Sequence, residues 1–180
     1  GDICVRTDIE NIKKIDTKSG KESILVTLEE VNEALKNGEM PYKLTGHIKP
    51  LRTLMAASLP WGDRNVITFT QYDDRTPGQK YMIWYDFSKK KIVSLFNLQG
   101  EGPTNFDFCK ENGYMAYTIG NDLYVAHEGD FSSMVNPKVT GNQQQEKDVV
   151  YGQAVHRNEF GIMKGTFWSP KGNLLAFYRM

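Results

Sequence analysis

Residues His156-Arg157-Asn158-Glu159 place four polar or ionisable side chains in a row, between the apolar residues Val155 and Phe160/Ile162. Apolar anchors on both sides would position such a cluster and strip part of its water. A single carboxylate, Glu159, then binds a cation more strongly than it could in bulk solvent. On composition alone the plainer reading is a solvated loop carrying an Arg157–Glu159 ion pair. The rest of the chain offers less reactive chemistry. His47, His127 and His156 are scattered, His127-Glu128 lacks the second histidine of a zinc-protease helix, and Cys4 and Cys109 have no paired-cysteine spacing. No metal site and no cofactor are expected. Cys109 alternates with Phe106 and Phe108, which suits a small buried hydrophobe better than half of a disulfide with Cys4. No Gly-x-Ser-x-Gly nucleophile elbow occurs, and Ser169 in Trp168-Ser169-Pro170 reads as a turn residue. No catalytic residue is therefore expected within the chain.

The 180 residues carry 22 basic and 22 acidic side chains, a net charge of zero. That balance argues against nucleic acid or an anionic membrane recognised through bulk electrostatics. An apolar content of 39% with 24% charged residues is that of an ordinary globular chain. No apolar run approaches the roughly 20 residues that span a bilayer.

The elements that must position the polar cluster are mostly strands. One short helix is signalled by the capping box Thr27-Leu28-Glu29-Glu30, the helical spacing of Leu28, Val31 and Leu35, and the stop Asn37-Gly38. Strands are expected over Asn65–Tyr72, Tyr81–Phe87, Lys91–Leu98, Phe106–Cys109, Tyr114–Ile119, Leu123–Ala126 and Gly165–Trp168. Ser88-Lys89-Lys90, Asn112-Gly113 and Gly120-Asn121-Asp122 supply turns, and Pro137–Asp148 a polar loop. A repeat runs through these strands. Phe108 to Tyr117 aligns without gaps onto Trp168 to Phe177, 60 residues later, each copy ending in a hydrophobic–alanine–aromatic triplet (Met115-Ala116-Tyr117, Leu175-Ala176-Phe177). A weaker copy with a shorter turn runs from Trp61 to Phe69. Spacing of this order is that of propeller blades.

The fold class expected is therefore all-β: a partial β-propeller of a few four-stranded antiparallel blades with one short connecting helix. Residues 1–58 would hold a partial first blade, the helix and a connector, and residues 59–180 consecutive blades, the last one truncated. The apolar run Leu174 to Met180 has no polar tail, and Gly1-Asp2 leads straight into Ile3-Cys4-Val5 with no signal-peptide pattern. Both ends suit a piece of a longer chain, and an open arc of blades would leave its end faces uncovered. The alternative at this level is a self-contained small β domain whose terminal strands pair.

Residues Val155 to Ile162, followed by Gly165 to Met180, closely resemble the propeller domain of the dipeptidyl peptidase IV branch of the prolyl oligopeptidase family. The likeness extends more loosely to Asn121-Asp122-Leu123-Tyr124-Val125 and to Met82–Phe87, covering roughly residues 60–180. The resemblance implies an eight-bladed propeller capping a C-terminal α/β-hydrolase domain of the same protein. Such serine exopeptidases remove dipeptides, sometimes tripeptides, from peptides with a free N-terminus. It implies that Glu159 is the second glutamate of the family's Glu-Glu-Phe motif and binds the substrate ammonium. Here the first position is Asn158, which can accept a hydrogen bond but carries no charge, so dipeptidyl and tripeptidyl cleavage both remain open. Counting back from the Tyr85-Asp86 strand places the family's carbonyl-binding arginine at Arg75, in a loop that reads equally as a solvated hairpin tip. Arg157 and His156 would give polar support. The resemblance further implies a homodimer and a periplasmic or cell-surface location. The competing function is a non-catalytic propeller that binds protein partners.

Overall fold

The computed structural model describes residues 4–37, 48–60, 65–98, 102–127, 139, 148–154, 159 and 161–180. The chain divides into two compact units, Gly1–Gln99 and Gly100–Met180.

The first unit opens with an antiparallel meander, β1 (Cys4–Thr7), β2 (Asn11–Ile15) and β3 (Glu22–Thr27). It runs directly into the helix α1 (Leu28–Asn37). The expected capping box closes both ways. The Glu30 amide donates to Thr27 Oγ1 at 3.2 Å, and the Thr27 amide donates to the Glu30 carboxylate at 3.3 Å. Free amides of the first turn are thereby satisfied where the chain leaves the sheet. Gly38, the expected stop, lies outside the described residues. A second antiparallel sheet follows, β4 (Val66–Tyr72), β5 (Lys80–Asp86) and β6 (Lys91–Asn97). The segment from Ile48 to Ser58 runs along the free edge of β4, bridging at Ile48–Asp73 and Ser58–Thr68, and so takes part of a fourth-strand position. Asn32 on α1 ties this segment down, its side chain accepting from the Leu51 amide at 2.7 Å and donating to the Leu51 carbonyl at 3.0 Å.

One core joins these pieces. Ile12 and Val26 from the first sheet, Val31 and Leu35 from α1, Leu54 from the connector, and Ile67, Ile83 and Tyr85 from the second sheet are all buried in it. The residue types dictate the arrangement. β4 is buried through Val66, Ile67, Thr68 and Phe69 in succession rather than at alternate positions, as a strand covered on both faces requires. Each such aliphatic side chain, fully withdrawn from water, contributes about 1.5–3 kcal/mol.

The turns of this unit share one device. An aspartate at the first turn position accepts the amides two and three residues on: Asp8 from Glu10 and Asn11, Asp16 from Lys18 and Ser19, Asp73 from Arg75 and Thr76, Asp86 from Ser88 and Lys89. The short aspartate side chain thus replaces backbone partners that a tight turn cannot supply.

In the second unit β7 (Thr104–Phe108), β8 (Tyr114–Ile119) and β9 (Asp122–His127) form a third antiparallel meander, and β10 (Thr166–Trp168) pairs with β11 (Leu175–Phe177). The repeat seen in the sequence is a repeat in space. Phe108 pairs with Met115 as Trp168 pairs with Leu175, and Asp107 with Ala116 as Phe167 with Ala176. The Cys109 amide donates to the Tyr114 carbonyl at 2.8 Å, matched by Ser169 to Leu174 at 2.9 Å. The two turns also meet, because the Asn112 side chain donates to the Gly172 carbonyl. A Cβ on Gly172 would lie 2.6 Å from the Cys109 sulfur. The turn of the weaker copy, residues 61–64, lies outside the described residues. Ala116, Leu123 and Tyr151 make the core of this unit, with Trp168, Leu175 and Phe177 packed against it.

The architecture is all-β with one short helix, in consecutive antiparallel meanders of the kind that build propeller blades. Expected strand positions hold to within about two residues. β2 and β3 are not among the expected strands, and among those that are, the largest difference is at β7, which starts at Thr104 rather than Phe106. Asn105 takes a left-handed conformation at φ 54°, and the register shifts between Thr104 and Asp107. Such a bulge leaves no clean period-two pattern in the sequence. Cys4 is an exposed free thiol, and Cys109 is a buried one whose pKa burial pushes up.

The turn aspartates make stability depend on acid. Hydrogen bonds from the Asn11 and Ser19 amides hold Asp8 and Asp16 below the ordinary carboxylate range. At Asp86, burial works in the opposite direction, and the bonds from Ser88 and Lys89 outweigh it. A folded-state pKa below the unfolded one contributes stability above the unfolded value, and that stability is lost as pH falls through the folded value. Thermal unfolding followed by circular dichroism should therefore show a flat melting temperature from neutral pH down to about pH 4 and a fall below it. Asp86→Asn should melt lower at neutral pH and lose part of that acid slope.

Candidate functional site

The segment carrying the polar cluster is held by an unusual strand pairing. Beyond β11 the chain continues to Met180, and Val150 to Gly152 pair with it antiparallel: Val150 and Met180 exchange amide–carbonyl bonds at 2.9 and 3.0 Å, and the Gly152 amide donates to the Tyr178 carbonyl at 2.9 Å. The Tyr178 amide donates to the Gly165 carbonyl at 2.9 Å, continuing the β10–β11 ladder. The amide and carbonyl of one strand residue face the same side. Residues 150–152 and 165–168 therefore follow one another along a single partner strand, with residues 153–164 of the sequence intervening as an excursion from that pairing.

The neck of this excursion is narrow. A Cβ on Gly165 would lie 2.2 Å from the Gln153 carbonyl oxygen, a contact with backbone that no side-chain movement relieves. Gly152 has φ +67°, and its Cβ would lie 2.9 Å from Leu123 Cδ1. Glycine is required at both sides of the neck, at one for space and at the other also for its left-handed backbone. Each side is then anchored to the neighbouring sheet. On the outgoing side, Gln153 Nε2 donates to the Gly120 carbonyl at 2.9 Å and the Tyr151 amide donates to Asn121 at 2.9 Å. On the returning side, Lys164 Nζ reaches both carboxylate oxygens of Asp107, at 3.0 and 3.2 Å, and Thr166 Oγ1 donates to one of them at 2.8 Å. Trp168 Nε1 donates to the Asp107 carbonyl at 3.1 Å.

Glu159 lies within the excursion and is exposed. Its carbonyl accepts the Ile162 amide at 3.0 Å, closing a four-residue turn in which Gly161 takes φ +71°. Its three expected neighbours, Asn158, Arg157 and His156, lie outside the described residues. Arg75 belongs to the first unit, exposed at the tip of the β4–β5 loop. That loop is ordered from within: the buried Asp73 side chain accepts the Arg75 and Thr76 amides, and Asp73 and Thr76 each bond Gln79 through the backbone. Ser169 is a turn residue as expected, its hydroxyl accepting from the Leu174 amide at 3.1 Å and donating to Asn173 at 2.9 Å. Among the described residues no three histidine, cysteine or acidic side chains converge as a metal site. No helix among them is long and apolar enough to cross a membrane.

Sequence reading singled out Glu159 and passed over the residues that fix the neck and the returning strand, Gly152, Gly165, Asp107 and Lys164. The two glycines bracket the polar segment in the sequence, but no local pattern pairs one with the other.

The neck predicts a contrast between two glycines. Gly165→Ala should destabilise the fold by about 2–3 kcal/mol, because the added methyl meets backbone. Gly161→Ala, with nothing within 4 Å of its Cβ, should cost only the left-handed backbone strain of about 1–2 kcal/mol. Denaturant unfolding of the two variants measures both, and equal midpoints would contradict the close approach at the neck.

Known proteins share this sequence and architecture. Residues 62–180 match the profile of the dipeptidyl peptidase IV (DPP IV) N-terminal region. A solved protein from Bacteroides ovatus, assigned as a dipeptidyl aminopeptidase IV, superposes with a TM-score of 0.63 at 37% identity, covering 99% of this chain and 21% of that one. Porphyromonas gingivalis dipeptidyl peptidase 4 superposes with a TM-score of 0.56 at 16% identity, a likeness of fold, covering 98% of this chain and 25% of that one. This chain thus spans about a fifth to a quarter of the length of these two proteins. With the meanders, the repeated turns and a profile match running through the Glu159 segment, the chain belongs to the dipeptidyl peptidase IV N-terminal-region family.

Proposed function

We propose that this chain is the substrate-recognising propeller part of a serine exopeptidase and that Glu159 binds the N-terminal ammonium of a peptide. The observation that carries the proposal is the exposed Glu159, whose carbonyl accepts the Ile162 amide, in a stretch of sequence that begins and ends where Gln153 and Gly165 meet at a pinned neck. A carboxylate on a surface loop that wanders gains little from meeting an ammonium group. One whose backbone is fixed loses less entropy on binding and sets how far a peptide can enter. Asn158 offers the ammonium a neutral acceptor where a second glutamate would offer charge, with Arg157 and His156 as polar support. Arg75, on its self-capped loop, is suited to donate to a substrate carbonyl.

The nucleophile and its partners lie in an α/β-hydrolase domain of the same protein, and the whole enzyme carries an eight-bladed propeller. The chain by itself hydrolyses nothing. One charge pair rather than two makes ammonium recognition weaker and leaves room for tripeptides beside dipeptides. A periplasmic or cell-surface location and a homodimer belong to the same reading.

In the intact enzyme, Glu159→Ala should raise KM for a free-N-terminus Xaa-Pro substrate with kcat nearly unchanged, since the lost contact serves ground and transition states alike. A charge-assisted bond of about 1.5–3 kcal/mol corresponds to roughly ten- to hundredfold. Glu159→Gln should recover only part of this. Steady-state kinetics that match wild type would remove Glu159 from the site, and full partner binding without any peptidase activity would favour a non-catalytic propeller.

A further inference from the structure

We infer that Asp107 is a positioning residue for Glu159, a carboxylate latch on β7 that fixes where the excursion rejoins its blade. The inference rests on the reading of Glu159 as the ammonium ligand, but its geometry is independent of it. Lys164, Thr166 and Trp168 stand at alternate positions, so their side chains leave the same face of the returning strand. All three bond to Asp107: Lys164 Nζ to both carboxylate oxygens, Thr166 Oγ1 to one of them, and Trp168 Nε1 to the backbone carbonyl. The Asp107 side chain is 11% exposed and that of Lys164 is 52% exposed, so the carboxylate is set into the sheet and the ammonium reaches in from the rim.

The latch acts where the backbone ladder does not. Pairing with the β11 strand resumes only at Gly165, through the Tyr178 amide. Lys164 is the last residue of the excursion, and its ammonium pairs with the Asp107 carboxylate and lies 5.6 Å from the centroid of the Phe167 ring. The outgoing side has its own ties, Gln153 to Gly120 and Tyr151 to Asn121. With both sides held, the turn from Glu159 to Ile162 springs from fixed ends. Without the carboxylate, Lys164 loses its ion pair and Thr166 its hydrogen bond, and the returning side keeps only the Trp168 bond to the Asp107 carbonyl and the pairing that resumes at Gly165. Glu159 then samples more positions, and a peptide must select the competent one, which raises the apparent dissociation constant in proportion to the lost population.

Two variants test this in the intact protein. Asp107→Asn keeps the side-chain shape and an acceptor for Thr166 but removes the charge facing Lys164, and Lys164→Met removes the latch from the other side. Hydrogen exchange of residues 153–164 and steady-state kinetics on a free-N-terminus peptide are read together. Both variants should speed exchange in 153–164 by roughly tenfold while β8 and β9 stay protected, and raise KM about three- to tenfold at unchanged kcat. Asp107→Glu, which keeps the charge, should restore most of both. Wild-type exchange in the two variants overturns the inference, as does a loosening that spreads through β8 and β9, since Asp107 would then be a general stabiliser. Faster exchange with unchanged KM overturns it too if Glu159→Ala does raise KM. If Glu159→Ala leaves KM unchanged while Asp107→Asn still loosens only 153–164, the latch stands and the ammonium reading fails.

Discussion

Tyr178 bonds two separate pieces of chain on one side of its strand, accepting from Gly152 and donating to Gly165, and the placement proposed for Glu159 depends on that pairing. An ordinary blade strand would run straight past Tyr178. Here the strand is interrupted and resumed, so the residues between can leave the sheet without costing it a hydrogen-bonded partner. The constraint that follows is steric. Two chain segments meet at backbone distance, where Gly165 admits no side chain against Gln153. A segment rooted this way has both of its ends in the sheet, which separates it from a hairpin tip that merely projects.

The rest of the architecture serves the same end by keeping turns short and internally satisfied. Four aspartates in the first unit each accept two backbone amides from their own turn. In the second unit Asn112 accepts the Tyr114 amide and Ser169 accepts the Leu174 amide in equivalent turns. These two turns then bond each other through Asn112 and Gly172. That contact helps register β10 and β11 against the β7–β9 meander, and Asp107 reaches the returning strand from the same meander. The Asp107 carboxylate, set into the sheet, is met by Lys164 Nζ and Thr166 Oγ1, as a largely buried carboxylate requires. Polar groups set the position of the excursion, while apolar packing of Leu123, Tyr151 and Trp168 supplies the cohesion.

What could be read directly from the sequence was local. The capping box at Thr27 and Glu30 and the gapless repeat from Phe108 onto Trp168 both report interactions between residues close in the chain. The repeat was legible because the same turn, with the same register, was written twice. Glu159 stood out through the residue types around it, and the family likeness gave it a role. The neck was not legible, because it depends on Gly152 and Gly165 meeting across an intervening segment, and nothing in either residue announces the other. Asp107 was hidden for the same reason. In the sequence it is one acidic residue between Phe106 and Phe108, and only the packing of a returning strand gives it three partners. The bulge at Asn105 concealed the start of β7, since a left-handed residue inside a strand breaks the pattern by which strands are recognised.

The central claim is that a single fixed carboxylate reads a positive peptide N-terminus, and the most direct measurement compares the affinity of the intact protein for one short peptide in two forms, with a free amine and N-acetylated. Acetylation removes the charge and leaves every other group in place. The account predicts that the free form binds roughly ten- to hundredfold more tightly and that this preference collapses when Glu159 is alanine. Equal affinities in the wild-type protein, or a preference that survives the loss of Glu159, would contradict it.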